Sequence, residues 1–206
     1  MLSVVCLNAH NYCGIGQVYV TRLQNMVRRH LTIPHKFIEL TEHELPRGLE
    51  GWWYKLPLLD LFNDEVLYLD LDVVISKNID HLVEIGRTDQ SRLWARDDFS
   101  YSRVNPRQGL SADFLVTLGG PGTINSSVMY WKGRRKIPRL PGAHGDQNCV
   151  THALWPDGIG LFPNDSIKSW KYHAMRGEGY GDICVFHGEP KPHQREHDEF
   201  VRTHWR

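Results

Sequence analysis

Asp70 and Asp72 stand one residue apart inside an otherwise apolar run, EVLYLDLDVVI from Glu65 to Ile75. In an extended chain residues i and i+2 face the same way, so the two carboxylates would share one face at a strand's end. Two like charges so placed cost free energy unless something cationic sits between them. Hard carboxylate oxygens suit a divalent metal. A strand that runs out into a solvated turn explains the same short acidic pair without one.

Elements that would position the pair are legible around it. Ser3 to Leu7 is a short apolar, β-branched run and reads as a first strand. The turn-rich segment from Asn8 to Gly16 follows. Val20, Leu23, Val27 and Leu31 then recur every three or four residues, which predicts an amphipathic helix over Gln17 to Leu31, closed before Pro34. His35 to Leu40 alternates as a strand, and Trp52 to Phe62 reads as a helix with Pro57 in its first turns or at a kink. Alternation of this kind predicts an α/β fold with a parallel or mostly parallel sheet covered by helices. Ligands of such sheets collect at the carboxyl ends of the strands. Both Asn8 to Tyr12 and Asp70 to Asp72 lie at such ends, which brings them into one crevice.

Further strands are expected at Ser91 to Ala95, Thr123 to Trp131 and Asp182 to Phe186, and a helix at Asp146 to Trp155. Asp146 near that helix start suits the dipole, or serves only as a cap. Asp97 to Gly122 lacks clear periodicity over a length that marks a functional or disordered loop.

Composition narrows the classes. A length of 206 residues suits one domain, taken as residues 1–206, and no repeat or linker-like tract suggests a second. The 24 basic and 24 acidic residues balance, so no global field draws the chain to nucleic acid or to an anionic membrane. The local cluster KGRRK, Lys132 to Lys136, reads as a solvated turn after a strand. Cys6, Cys13, Cys149 and Cys184 are dispersed without metal-site spacing, which fits reduced thiols in the cytoplasm. No apolar stretch approaches the roughly 18 residues of a membrane span. Seven tryptophans and eight tyrosines are a heavy load of rigid rings, of the kind that lines ligand clefts.

The acidic pair alone admits more than one enzyme class. A haloacid-dehalogenase-like phosphatase also carries Asp-x-Asp after an apolar strand. Such phosphatases have it near the start of the chain with a paired acidic motif downstream, whereas here it follows two strands and GDQN, Gly145 to Asn148, has no such partner. Taken together, Tyr19 to Phe37, Gly51 to Phe62 (GWWYKLPLLDLF), EVLYLDLDVVI, Ile124 to Gly133 (INSSVMYWKG), GDQN, Val185 to His193 (VFHGEPKPH) and a terminal HWR resemble a bacterial and phage group related to glycosyltransferase family eight. That family contains glycogenin and the lipopolysaccharide galactosyltransferases.

The resemblance implies a GT-A fold and metal-dependent transfer of a hexose from a UDP-sugar to an acceptor hydroxyl, with retention at the anomeric carbon. It implies Asp70, Asp72 and His187 as ligands of Mn²⁺ (or Mg²⁺), and Lys191 as the lysine on the diphosphate, with Gly188 allowing close backbone approach. Leu7, Asn8 and Tyr12 correspond to the part that holds the base and ribose. His10 and Asn11 depart from the family there, standing near where a Lys is often found. Lys55 corresponds to a basic residue reaching the donor, Leu71 to the centre of the metal-binding motif, and Asn125 and Ser126 to the residues positioning the sugar. Asp146 and Gln147 match the pair beneath the sugar ring and, with Lys191, would carry catalysis. The acceptor would be a glycan, or a hydroxymethylated base in phage DNA, met by Asp97 to Gly122 with Arg103 and Arg107. A protein that keeps the donor pocket without turnover is the rival from another class.

Overall fold

A computed structural model describes residues 1–99, 123–143, 145–155 and 157–206. Its centre is a six-stranded sheet with strand order β2-β1-β3-β6-β5-β7. The strands are β1 (Leu2–Leu7), β2 (His35–Leu40), β3 (Glu65–Leu69), β5 (Leu93–Asp97), β6 (Ile124–Lys132) and β7 (Ile159–Leu161). β1 is parallel to both β2 and β3, and β7 is parallel to β5. Only β6 runs against its neighbours, β3 and β5. The sheet is thus mostly parallel, as the βαβ alternation predicts.

Both faces of this sheet are covered, and the strands show it residue by residue. Val4, Cys6, Leu67, Leu69, Val128 and Tyr130 enter one core, while Val5, Leu7, Val66, Tyr68, Met129 and Trp131 enter the other. That is the period of two carried through strands buried on both sides. On the first face lies α1 (Gly16–His30), which buries Tyr19, Val20, Leu23, Met26 and Val27 as its spacing requires. On the second face α4 (Asp146–Leu154) buries Cys149 and Val150. A second sheet of β4 (Val73–Ile75), β9 (Ile183–Val185) and β8 (Ile167–Ser169) shares the first core with α5 (Glu199–His204). Among the described residues no helix is long and apolar enough to cross a membrane.

Two expectations are corrected. The segment from Trp52 to Phe62 is a 3-10 turn, Gly51–Tyr54, followed by one α-helical turn, α2 (Lys55–Leu58). Pro57 has no N–H for Trp53 O, so an α-helix cannot run unbroken from Trp52, and past Leu59 the chain continues only as i→i−3 turns to Leu61. The run from Glu65 to Ile75 is two strands of different sheets, with Asp70 to Asp72 as the hinge. Asp70 N–H donates to Ser127 O at 2.8 Å, the last rung of the first sheet, and Asp72 O accepts from Phe186 N–H at 3.1 Å, opening the second. The carboxylates therefore leave a turn rather than alternate positions of one strand. A further helix, α3 (Asp80–Thr88), follows β4 and was not foreseen. Within the long loop, Arg103 and Arg107 lie outside the described residues.

The KGRRK cluster is a structural turn. Lys132 Nζ donates to Gln90 Oε1 at 2.8 Å, Arg135 Nη2 donates to Ser91 O at 2.7 Å, and Gly133 takes the left-handed φ of 75° that the turn needs. All four cysteines are free, and Cys13 alone is exposed.

One close approach fixes α3 on the sheet. A Cβ added to Gly86 would lie 2.1 Å from Cδ1 of the buried Tyr130. Gly86→Ala should lower stability by about 1–3 kcal/mol through overpacking, read as a shift of the urea midpoint without a change of slope.

Candidate active site

The hinge between the two sheets brings Asp70 and Asp72 to the carboxyl ends of β3 and β1, where each carboxylate is met by its own lysine. Lys55, carried on α2, is almost fully buried. Its ammonium lies 2.8 Å from Asp70 Oδ1 and 2.9 Å from Asp70 Oδ2, and donates to both Ser126 O and Ser126 Oγ at 3.2 Å. Tyr68 OH donates to Asp70 Oδ1 at 2.7 Å, and its ring centroid lies 5.2 Å beneath the Lys55 ammonium. Burial alone would lower the Lys55 pKa. Asp70, Asp146 and Asp72 outweigh it and hold the group above its ordinary range, so it stays charged.

Asp72 is the more buried acid, and Lys191 reaches it across 119 positions of sequence. Lys191 Nζ donates to Asp72 Oδ2 and to Phe186 O, the latter at 3.3 Å. Tyr12 OH donates to the same carboxylate oxygen at 2.8 Å, and the Lys191 ammonium lies 5.4 Å over the Tyr12 ring. Burial raises the Asp72 pKa against the attraction of Lys191, with Asp70 adding repulsion. Tyr12 is held well above the ordinary phenol range, first by burial and then by Asp72. An expected stacking ring for a base thus also closes a polar network over the acidic pair.

Behind Tyr12, Asn8 organises the loop after β1. Its Nδ2 donates to Glu39 Oε1 at 2.8 Å and its Oδ1 accepts from Tyr12 N–H at 3.1 Å. A Cβ on Gly16 would fall 2.0 Å from that oxygen, so α1 must open on glycine. His10, Asn11 and Cys13 all take left-handed φ near 50°, a strained loop for residues bearing a Cβ. Leu7 and Leu71 are buried, one in each core.

Asn125 and Ser126 sit buried on β6, beside Lys55, with Asn125 Oδ1 accepting from Ser127 N–H at 3.1 Å. Asp146 opens α4 and is 3% exposed. The Ser126 hydroxyl hydrogen-bonds its carboxyl group, yet Oδ2 has no hydrogen-bond partner. Burial lifts its pKa above the carboxylate range, opposed by the Lys55 charge. A buried polar atom without a partner commonly marks a strained or ligand-binding place. Gln147 follows, half-buried.

His187 stands apart from this cluster. Its Nε2 is 2.7 Å from Ser169 Oγ, and its ring stacks between Phe99 at 5.5 Å and Tyr172 at 5.4 Å. Burial and then the neighbouring Lys171 push its pKa down to about 4, leaving the neutral imidazole that can ligate a metal. The main chain does bring it close, since the adjacent Phe186 bonds Asp72 O. Among the described residues, however, no three His, Cys, Asp or Glu side chains converge as a metal-holding group. The donor chemistry of Asp70 and Asp72 fits a hard divalent cation, and here those oxygens take lysine and tyrosine donors. Gly188 has a φ of 66°, and a Cβ there would lie 2.8 Å from Lys171 Nζ. Tyr68 and Lys171 were not foreseen: Tyr68 reads as an ordinary core position of its strand, and Lys171 carries no signal in its neighbours.

This architecture, a mostly parallel sheet flanked by helices, is shared with solved structures of glycosyltransferases. By sequence the chain matches no protein-family model and no curated protein. By fold it is similar to the apo bifunctional glycosyltransferase WbbM, with TM-score 0.67 and 14% identity over 93% of this chain and 46% of that one. It is similar also to the galactosyltransferase LgtC in complex with donor and acceptor sugar analogues, with TM-score 0.61 and 14% identity over 98% and 96%. The glycosyltransferase GlyE of Streptococcus pneumoniae TIGR4 follows, with TM-score 0.56 and 13% identity over 93% and 56%. The chain thus spans about half of WbbM and GlyE and nearly all of LgtC.

Lys55 is itself buried and neutralises the half-buried Asp70, so its removal strands that charge. Lys55→Met should destabilise the protein by about 3–5 kcal/mol, and Lys55→Met combined with Asp70→Asn should recover part of that loss. Equal melting temperatures for the single and double variants would contradict the pairing.

Proposed function

We propose that the chain is a metal-dependent glycosyltransferase that moves a hexose from a UDP-sugar to an acceptor hydroxyl with retention of anomeric configuration. The observation that carries this reading is the pairing of Lys191 with Asp72, which sets a cation from the HGEPK segment beside the acidic hinge. A departing nucleoside diphosphate needs positive charge at that place. The likeness of fold to LgtC, a galactosyltransferase crystallised with donor and acceptor sugar analogues, supports the same substrate class.

Asp70 and Asp72 would hold the cation, with His187 as third ligand once its Nε2 is released from Ser169. Bound Mn²⁺ or Mg²⁺ would supply charge to the diphosphate oxygens as the bond to the sugar breaks. Lys191, freed from Asp72 by the incoming donor, would move its ammonium onto the diphosphate. Lys55 keeps Asp70 oriented and ionised. Asn8 and Tyr12 would border the base and ribose, while Asn125 and Ser126 would place the sugar. Asp146, with an unpartnered Oδ2, offers an acceptor for a sugar hydroxyl or for positive charge growing at the anomeric carbon. Gln147 assists from the next position. The acceptor hydroxyl would attack from the face that the diphosphate leaves, and a diphosphate oxygen would take its proton. Retention without a covalent adduct follows from that geometry, and Gln147 is a poor nucleophile. Residues 1–206 would act as one catalytic domain in the cytoplasm.

Mass spectrometry of the protein incubated with Mn²⁺, a panel of UDP-sugars and a mixed acceptor pool tests the reading. Wild type should release UDP and add one hexose to an acceptor. Asp72→Asn should lower metal-dependent UDP release by about 10²-fold or more; full activity in that variant would remove Asp72 from the site. UDP binding without turnover in any mixture would favour a binding protein instead.

A further inference from the structure

Two tryptophans stand side by side in the turn that leads into Lys55, and they have opposite fates. Trp53 is buried in the second core, its ring 4.0 Å beneath the Arg139 guanidinium. Trp52 is 54% exposed. Exposing a single large ring is common, but its location here is not neutral. A Cβ built on Gly145 would lie 3.5 Å from Trp52 Nε1, so the indole rests on the residue that directly precedes Asp146. The ring therefore lies beside the residue that leads into Asp146, whose buried Oδ2 has no hydrogen-bond partner.

The support under the ring is stiff. Trp53 N–H donates to Glu50 O at 3.1 Å, Trp52 O accepts from the N–H of Lys55, and Lys55 is itself locked onto Asp70 and Ser126. A flat apolar face with one N–H donor at its edge, held in place at the mouth of a polar site, matches an amphipathic ring. A pyranose has such a face, and its rim of hydroxyls would use the indole N–H.

We propose that Trp52 is the stacking platform for the acceptor, and that the acceptor is a glycan whose terminal pyranose lies on the indole with its reactive hydroxyl toward Asp146. This rests on the glycosyltransferase reading and narrows its acceptor class. A nucleic-acid acceptor is disfavoured because the basic turn nearest in character, Lys132 to Lys136, spends Lys132 and Arg135 on Gln90 and Ser91, and the chain carries no net charge.

The test separates platform from donor chemistry. Saturation-transfer NMR on the full chain is run with lactose, maltose and cellobiose as probes, for wild type, Trp52→Ala and Trp52→Phe. UDP release from UDP-glucose and UDP-galactose is measured on the same three proteins. At least one disaccharide should bind saturably to wild type, about tenfold more weakly to Trp52→Ala, and close to wild type in Trp52→Phe. The KM for the UDP-sugar should stay within about twofold in all three. Trp52-dependent disaccharide binding without any UDP release would leave the platform standing and overturn the donor reading. No disaccharide binding, binding indifferent to Trp52→Ala, a loss that falls on the donor KM, or Trp52-dependent binding of a 5-hydroxymethylcytosine oligonucleotide in place of every disaccharide would each overturn the platform.

Discussion

Two aspartates at the hinge between two sheets, Asp72 buried and Asp70 half-buried, impose a charge balance that the surrounding chain must meet. Carboxylates withdrawn from water cost several kcal/mol each unless cations and hydrogen bonds replace the solvent. Here the replacements are drawn from distant places: Lys55 from a short helical turn, Lys191 from near the chain's end, and the hydroxyls of Tyr12 and Tyr68 from a loop and a strand. The closure of the C-terminal segment on the sheet is tied to the same balance, because Lys191 also bonds the main chain at Phe186, and Phe186 bonds Asp72.

This balance explains why the site is built from pairs. Each acid of the hinge pair carries a cation and a phenol, so two acids and two lysines balance in charge, and Asp146 beside them keeps a buried Oδ2 without a hydrogen-bond partner. A diphosphate with a divalent cation would exchange partners inside that frame rather than bury new charge. Lys191 is half-buried and holds one carboxylate oxygen and one main-chain carbonyl, whereas Lys55 is buried and holds both Asp70 oxygens together with Ser126 O and Oγ. One lysine is therefore suited to move and the other to stay.

Much of the frame was legible from residue types. Val20, Leu23 and Val27 announce α1, and the alternation in His35 to Leu40 announces β2, because period and burial agree there. The division of Glu65 to Ile75 into two strands was not legible: valine, leucine and isoleucine flank the hinge on both sides, and the Asp pair itself is the only mark of a turn. The helix from Trp52 was read too long because its apolar spacing runs through Pro57, whose missing N–H interrupts the α-helical ladder, and past Leu59 into i→i−3 turns. Of the site, Asp70 and Asp72 stand out as an acidic pair in an apolar run, whereas Lys55 and Lys191 are singled out through the resemblance to a known family, and neither route gives their mutual pairing. A helical lysine ordinarily points to water, and nothing in the sequence tells that Lys55 lies beneath Ser126. Likewise Trp52 and Trp53 are the same residue type in adjacent positions, and only packing against Arg139 on one side and Gly145 on the other separates their roles.

The central claim is that the hinge acids with Lys191 form the seat of a nucleoside diphosphate and its cation. Calorimetric titration of the full chain with UDP, with and without Mn²⁺, measures that most directly. Saturable binding that strengthens at least about tenfold with Mn²⁺, and that gain lost in Lys191→Ala, is the result expected. UDP binding of equal strength with and without Mn²⁺, or unchanged by Lys191→Ala, would contradict it.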